Sequence, residues 1–149
     1  YPRAILEREI KKYQKFISRR NALGELDHPN TAEIKLGNSA LNILKIWWEG
    51  NEVWADIQVL TTTSGKEIRA LLEDGITIAI SSRGTGSVQS DGEHDVVEED
   101  FSLAGWDFVH DPSTHEAFMK VKAIEEIKSE YKTEITEEVE MDLLNILNW

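Results

Sequence analysis

The sequence predicts an α+β fold in which mostly antiparallel strands are flanked by helices. Residues 2–20 place apolar side chains at near-helical spacing, which is typical of an amphipathic helix. Two strand-like runs follow, and the turn formers at residues 49–52 between them indicate a hairpin. A short second helix is expected to begin at Ser64, which forms a capping box with Glu67, and to end before Gly75.

The elements after Gly75 are predicted from shorter patterns. The apolar run 76–80 predicts a strand, the Asp91-Gly92 pair a second hairpin, and "GWDFVH" a further strand. From about Ala117 the chain is acidic, and apolar residues spaced by four near its end indicate a helix. We therefore expect a domain of residues 1–120 and an acidic helical tail of residues 121–149.

Composition excludes several classes of function. The 149-residue chain has a formal charge of −12, which disfavours binding to nucleic acid. It has no apolar run long enough to span a membrane, so no membrane partner is expected. It has no cysteine, which rules out a disulfide, a thiolate metal site and a cysteine nucleophile. No metal site or cofactor is predicted. Because the chain begins at Tyr1 without a methionine or a signal-like segment, we interpret it as a fragment or a processed form.

Two adjacent serines end the strand of residues 76–80. On an extended strand Ser81 shares a face with Ala79, and Ser82 shares the opposite face with Ile80. We expect the isoleucine face to pack inward, the small Ala79 to leave room beside Ser81, and Ser82 to form a local hydrogen bond. A serine nucleophile also needs a base, and His28 is a candidate because the following proline restricts its backbone. Taken alone, His28 is better explained as an ordinary turn residue than as a catalytic base.

Five segments carry a more specific signal when they are taken together. They are "YPRAILEREI", "GELDHP", "WWEGNEVWADIQVL", "ISSRGTG" and "GWDFVHDPS". In this order and at these spacings they resemble the prohead (capsid maturation) serine proteases of tailed phages, T4-type enzymes related to the herpesvirus assemblins. The resemblance reaches about Met119. It implies a small β-barrel with surrounding helices, and additional β structure before the first segment that this sequence lacks.

The resemblance also implies residue roles. It makes His28 the general base, Ser81 the nucleophile and Asp107 the third member of a catalytic triad, although related families use glutamate or histidine in that third position. The glycines after Arg83 allow the backbone amides of Arg83 and Gly84 to approach an oxyanion. The alternative for this stretch is a plain turn with a solvated arginine.

The function implied is a serine endopeptidase that cleaves scaffold and capsid proteins inside the assembling prohead, in the host cytoplasm. Such enzymes act as homo-oligomers in this interpretation and process themselves after glutamate, for which Glu137 in "ITE" is the candidate. Two alternatives stay open at this point. One is a catalytically inert assembly or interaction protein on the same fold, and the other is an esterase-like serine hydrolase.

Overall fold

The computed structural model describes residues 1–90, 92, 94–112, 117–121 and 143–146. In this part of the chain, no helix is long and apolar enough to cross a membrane. The elements in chain order are α1 (Arg3–Ser18), β1 (Leu23–Glu25), a short 3-10 helix (Leu36–Asn38), β2 (Ser39–Glu49), β3 (Glu52–Val59), α2 (Thr63–Glu73), β4 (Ala79–Thr85), β5 (Val88–Ser90), β6 (Asp95–Val97), β7 (Ser102–Val109), β8 (Met119–Val121) and β9 (Leu143–Ile146).

The largest sheet has five antiparallel strands in the spatial order β1, β2, β3, β9 and β8. Its β2–β3 hairpin turns where the sequence predicts, with Glu49 paired to Glu52. Gly50 in that turn has a φ of +60°, which glycine adopts at no steric cost. The first hairpin prediction is therefore confirmed.

Two smaller sheets complete the described strands. β4 pairs with β7, and β5 pairs with β6 around Gly92 to form the second predicted hairpin. Isolated bridges join the β4–β7 sheet to the rest of the fold, one from Leu26 to Phe108 and one from Ala79 to Phe118. The α+β class is confirmed. In the described residues, however, the strand ladders form three separate sheets, and both bridges involve the β4–β7 sheet, so the single closed barrel is not seen.

Helix α1 buries the face that its apolar spacing predicts. Ile5, Leu6, Ile10 and Tyr13 are all at most 7% exposed and belong to the core formed with the strands. Burying one aliphatic side chain of this size contributes about 1.5–3 kcal/mol, so this face fixes the helix on the sheets. Pro2 occupies the N-cap and not the first helical position, one residue from the prediction.

Helix α2 begins earlier than the capping-box pattern predicts. Its N-cap is Thr62, whose Oγ1 accepts a hydrogen bond from the N–H of Gly65 at 3.1 Å. The same hydroxyl donates to the carbonyl oxygen of Ser39 in β2. A tertiary contact therefore selects Thr62 over Ser64 as the cap. The helix ends at Glu73, just before Gly75 at a φ of +80°.

The C-terminal prediction is wrong at the residues that the structure describes. Residues 119–121 and 143–146 are strands, and β9 lies between β3 and β8 with pairing on both edges. A four-residue apolar spacing does not by itself distinguish a short strand from a helix. Here the pairing of β9 with β3 and β8 decides in favour of the strand. The proposed cleavage site at Glu137 lies outside the described residues.

Gly24 in β1 is required by close packing against β7. A Cβ at this position would lie 1.8 Å from the carbonyl oxygen of Trp106 and 2.9 Å from the Leu41 side chain. We expect Gly24→Ala to lower the free energy of unfolding by about 3 kcal/mol, because the backbone of β1 must move. Urea unfolding followed by tryptophan fluorescence measures this loss. Gly37→Ala is the matched control, since a Cβ there would meet no atom within 4 Å. Equal losses in both variants would contradict the packing argument.

Glu9 attaches α1 to β7 through a buried carboxylate. Burial alone raises the pKa of Glu9, but hydrogen bonds from Lys12, Arg8 and the N–H of Leu103 outweigh it, and the net pKa is below the ordinary value. A lowered folded-state pKa stabilises the fold above the unfolded pKa of about 4.3, and this contribution is lost as pH falls through the folded pKa.

The free energy of unfolding should therefore decline with acid less steeply in Glu9→Gln than in the unmodified chain. Urea titrations at a series of pH values from about 7 to about 3 measure the slope. Glu7→Gln is the control, because the Glu7 side chain is 48% exposed and pairs with Arg3 on the surface. A Glu9→Gln slope equal to that of the unmodified chain would show that this carboxylate carries no acid-linked stability.

Candidate active site

His28 is held in place by backbone contacts that Leu26 and Asp27, the two residues after β1, form with β7. Leu26 forms a parallel bridge with Phe108, and the N–H of Asp27 donates to the carbonyl oxygen of Phe108 at 2.9 Å. Asp27 has a φ of +61°, a left-handed conformation that aspartate tolerates better than most residues. The chain therefore turns at Asp27 and places the imidazole of His28 beside β7.

His28 and Asp107 form the contact that the sequence predicts. Nδ1 of His28 lies 2.9 Å from Oδ2 of Asp107, whose side chain is fully buried, while the His28 side chain is 39% exposed. A carboxylate accepts hydrogen bonds, so Nδ1 carries the proton and Nε2 is left as the acceptor. The pair therefore presents a basic ring nitrogen on the side away from Asp107.

Ser81 lies directly opposite Asp107 in the β4–β7 ladder. Residues opposite one another in an antiparallel pair project from the same face of the sheet, so Ser81 shares the face of Asp107. Ser81 is 3% exposed, and Ile80 on the other face is buried as expected. Ala79 is completely buried, so the open space predicted beside Ser81 is not found there.

The side chain of Arg83 is buried against two carboxylates. Its Nε and Nη2 lie 2.9 and 3.0 Å from the oxygens of Asp107, and Nη2 lies 2.6 Å from Oε2 of Glu25. Nη1 donates to the carbonyl oxygens of Thr31 and Glu33. Arg83 is 6% exposed and sits within β4, so the alternative of a turn with a solvated arginine is wrong. A substrate contact at Arg83 would have to use its backbone.

Glu25 is a member of this cluster that the sequence interpretation missed. It is fully buried, its N–H donates to Oδ1 of Asp107 at 2.8 Å, and its Oε1 accepts from the N–H of Lys35. Glu25, Asp107 and Arg83 together carry one formal negative charge while His28 is neutral. The cluster becomes neutral when His28 takes up a proton. The signal available in the sequence was the acidic residue of the "GELDHP" segment, three positions before His28.

A cleft of about 350 Å³ opens beside His28. Ser82 lines this cleft, with its Oγ 2.6 Å from the hydroxyl of Tyr1. The hydrogen bond predicted for Ser82 is therefore long-range and not local. Ser81 is not among the residues that line the cleft. The complete lining is Tyr1, His28, Pro29, Ser82, Arg83, Gly84, Thr85, Gly86, Val88, Val97 and Phe101.

The glycines of the "RGTG" segment allow Phe101 to pack on the end of β4. A Cβ at Gly84 would lie 2.5 Å from the Phe101 ring, and one at Gly86 would lie 2.7 Å from the Phe101 Cα. The β4–β7 register shifts between Arg83 and Gly84. Phe101 in turn contacts Tyr1 edge to face, with ring centroids 5.2 Å apart. The backbone of Gly84 and Gly86 thus forms part of the cleft wall.

Taken together, these residues have the composition of a serine hydrolase site: a serine on a strand, and a histidine oriented by a buried carboxylate. Comparison with known proteins gives the same class. The family model for the prohead core protein serine protease matches residues 1–129. The chain therefore belongs to the prohead core protein serine protease family.

A similar sequence and a similar solved structure both come from phage T4. The prohead core protein protease of Enterobacteria phage T4 is 35% identical over 131 residues, and the match covers 85% of this chain and 62% of that protein. The structure of the bacteriophage T4 capsid assembly protease, gp21, superimposes with a TM-score of 0.67 at 34% identity, covering 74% of this chain and 70% of that one. The chain thus spans less than two thirds of the length of the T4 sequence relative, and it shares the gp21 fold.

Proposed function

We propose that this chain is a serine endopeptidase with Ser81, His28 and Asp107 as its triad. The observation that carries the proposal is the 2.9 Å contact between His28 Nδ1 and Asp107 Oδ2, with Ser81 opposite Asp107 on the neighbouring strand. Membership in a serine protease family supports it.

In this mechanism Oγ of Ser81 attacks the scissile carbonyl carbon while Nε2 of His28 removes its proton. The proton then passes from His28 to the leaving amine, and a water molecule later releases the acyl group by the same route. Asp107 holds the ring and stabilises the imidazolium. The buried charge cluster assists, because Glu25, Asp107 and Arg83 leave one negative charge for the imidazolium to balance.

We assign the oxyanion contact to the backbone amides of Arg83 and Gly84. The guanidinium of Arg83 is buried against carboxylates and carbonyl oxygens, which leaves its main chain for this role. Gly84 has no side chain between its backbone and the cleft.

We infer the substrates from the relatives of this chain and not from the shape of the cleft. The T4 relative is named a prohead core protein protease, and on that basis we propose scaffold and capsid proteins as substrates, within the assembling prohead in the host cytoplasm.

We also propose that the chain forms a homo-oligomer and that it cleaves itself after Glu137. Mass spectrometry of the intact chain after incubation tests the self-cleavage: a product ending at residue 137 supports it, and an undivided chain that still cuts other substrates contradicts it.

A mixture of synthetic peptides tests the proposed activity. The complete chain and Asp107→Asn are incubated with the mixture, and products are sequenced by mass spectrometry. We expect internal cleavage that falls on the order of 10⁴-fold in Asp107→Asn, because asparagine holds the wrong tautomer of His28. If p-nitrophenyl acetate were hydrolysed while the peptides stayed uncleaved, the esterase alternative would be favoured. No turnover of either substrate would favour an inert assembly protein.

A further inference from the structure

Helix α1 carries a concentration of positive charge in an acidic protein. Residues 1–20 contain seven of the 16 basic side chains and two of the 28 acidic ones, a formal charge of +5 in a chain of −12. Three of these cations are paired: Arg3 contacts Glu7, and both Arg8 and Lys12 contact Glu9. The net positive charge therefore lies toward the C-terminal end of the helix.

The basic residues at that end have no acidic partner among the described residues. Lys11, Lys15, Arg19 and Arg20 are exposed, and none forms an ion pair within the part of the chain that the structure covers. Lys15 places its ammonium 4.8 Å from the centroid of the Phe16 ring. Within the described residues, these charges are therefore available to a partner.

Phe16 is also a wall of an apolar groove of about 350 Å³. Its other lining residues come from α1, the β1 region, the loop before β2, and β7. Leu36 lies at the groove and is 75% exposed, the largest exposed fraction among the large apolar side chains of the described residues. The lining residues are Tyr13, Phe16, Asn21, Leu23, Ala32, Ile34, Leu36, Leu103 and Ala104.

Three cations are neighbours of groove-lining residues in the sequence. Lys15 precedes Phe16, Arg20 precedes Asn21, and Lys35 lies between two lining residues. Glu33 is the acidic residue in the same loop, so the charge of these flanking side chains remains positive. An apolar groove whose sequence neighbours carry a net positive charge matches a peptide that alternates acidic and apolar side chains.

We propose that this surface, the groove together with Lys15, Arg20 and Lys35, binds an acidic segment of a partner protein that inserts apolar side chains beside Leu36. An acidic peptide fits better than nucleic acid, because the groove is lined by aliphatic and aromatic side chains and the rest of the chain carries a net negative charge. The proposal concerns a site apart from the His28 cleft and does not depend on the proposed protease activity.

Fluorescence anisotropy with labelled 12-residue peptides tests the proposal without any cleavage. The probe peptide alternates glutamate and leucine, and two comparison peptides replace its glutamates by glutamine or its leucines by serine. We expect the probe to bind at least about tenfold more tightly than either comparison peptide, and its affinity to fall as salt is raised. Equal binding of either comparison peptide would overturn the proposal, as would tighter binding of a 12-nucleotide single-stranded DNA.

Two variants with matched controls locate the surface. Leu36→Asp and Lys15→Glu should each weaken binding of the probe peptide by about tenfold or more, since one removes the apolar contact and both add repulsion. Leu71→Asp and Lys66→Glu make the same changes at exposed positions of α2 and should leave affinity within about twofold. Circular dichroism confirms that each variant is folded. Equal effects of variants and controls would overturn the proposal. Sedimentation of the chain alone tests for self-association. If the chain self-associates and Leu36→Asp abolishes this association, a second copy of the chain occupies the groove, and the proposal is overturned.

Discussion

Replacing Ser81 by alanine is expected to lower the rate of peptide cleavage on the order of 10⁶-fold, because removal of the nucleophile leaves only binding and oxyanion contacts to assist the reaction. His28→Ala should cost nearly as much, and the double variant little more, since members of a triad act as a unit. Initial rates on a peptide that the unmodified chain cleaves provide the measurement.

Ser82→Ala is the matched control for this prediction. Ser82 projects from the opposite face of β4 and contacts the hydroxyl of Tyr1, so its removal should cost no more than about tenfold. Tyr1→Phe removes the other hydroxyl of that contact and should have a similarly small effect. Because Ser82 lines the cleft, a full loss in Ser82→Ala with activity retained in Ser81→Ala would transfer the nucleophile to Ser82.

Arg83→Met is expected to lower the free energy of unfolding by about 3–5 kcal/mol. The substitution leaves the carboxylates of Glu25 and Asp107 fully buried without their shared cation, which is the costly way to break a buried ion pair. Removing one carboxylate as well, in Glu25→Gln/Arg83→Met, should recover part of that loss. Urea unfolding of the three proteins measures both effects.

Arg3→Met provides the comparison for a surface ion pair. Arg3 and Glu7 are about half exposed, and loss of such a pair costs about 1 kcal/mol or less. If Arg83→Met were no more destabilising than Arg3→Met, the buried cluster would not hold Asp107 in place. The role of Arg83 in orienting His28 through Asp107 would then have to be abandoned.

The parts of the fold that the sequence predicted are those determined by local patterns. The spacing of Ile5, Leu6 and Ile10 is sufficient to define α1, and residues 49–52 are sufficient to define the first hairpin. The strand β9 could not be predicted in this way. Its identity depends on pairing with β3, whose partner residues lie 85 to 91 positions earlier in the chain, and with β8 on its other edge.

The site shows the same division between local and long-range information. Alternation along β7 indicates that Asp107 points away from Trp106 and Phe108, and the resemblance to a family connects it with His28. The positions of Glu25 and Arg83 follow from contacts between β1, β4 and β7 that no single segment encodes. A buried guanidinium between two carboxylates has no periodic signature, so a solvated turn remained an equal interpretation until the strands were placed.

Labelling with a fluorophosphonate tests the central claim most directly, because this reagent forms a covalent adduct only with a serine that a base has activated. The unmodified chain and His28→Ala are treated in parallel, digested and analysed by tandem mass spectrometry. We expect an adduct on Ser81 in the unmodified chain and its loss in His28→Ala. An adduct on Ser82, or one on Ser81 that forms equally well without His28, would contradict the claim.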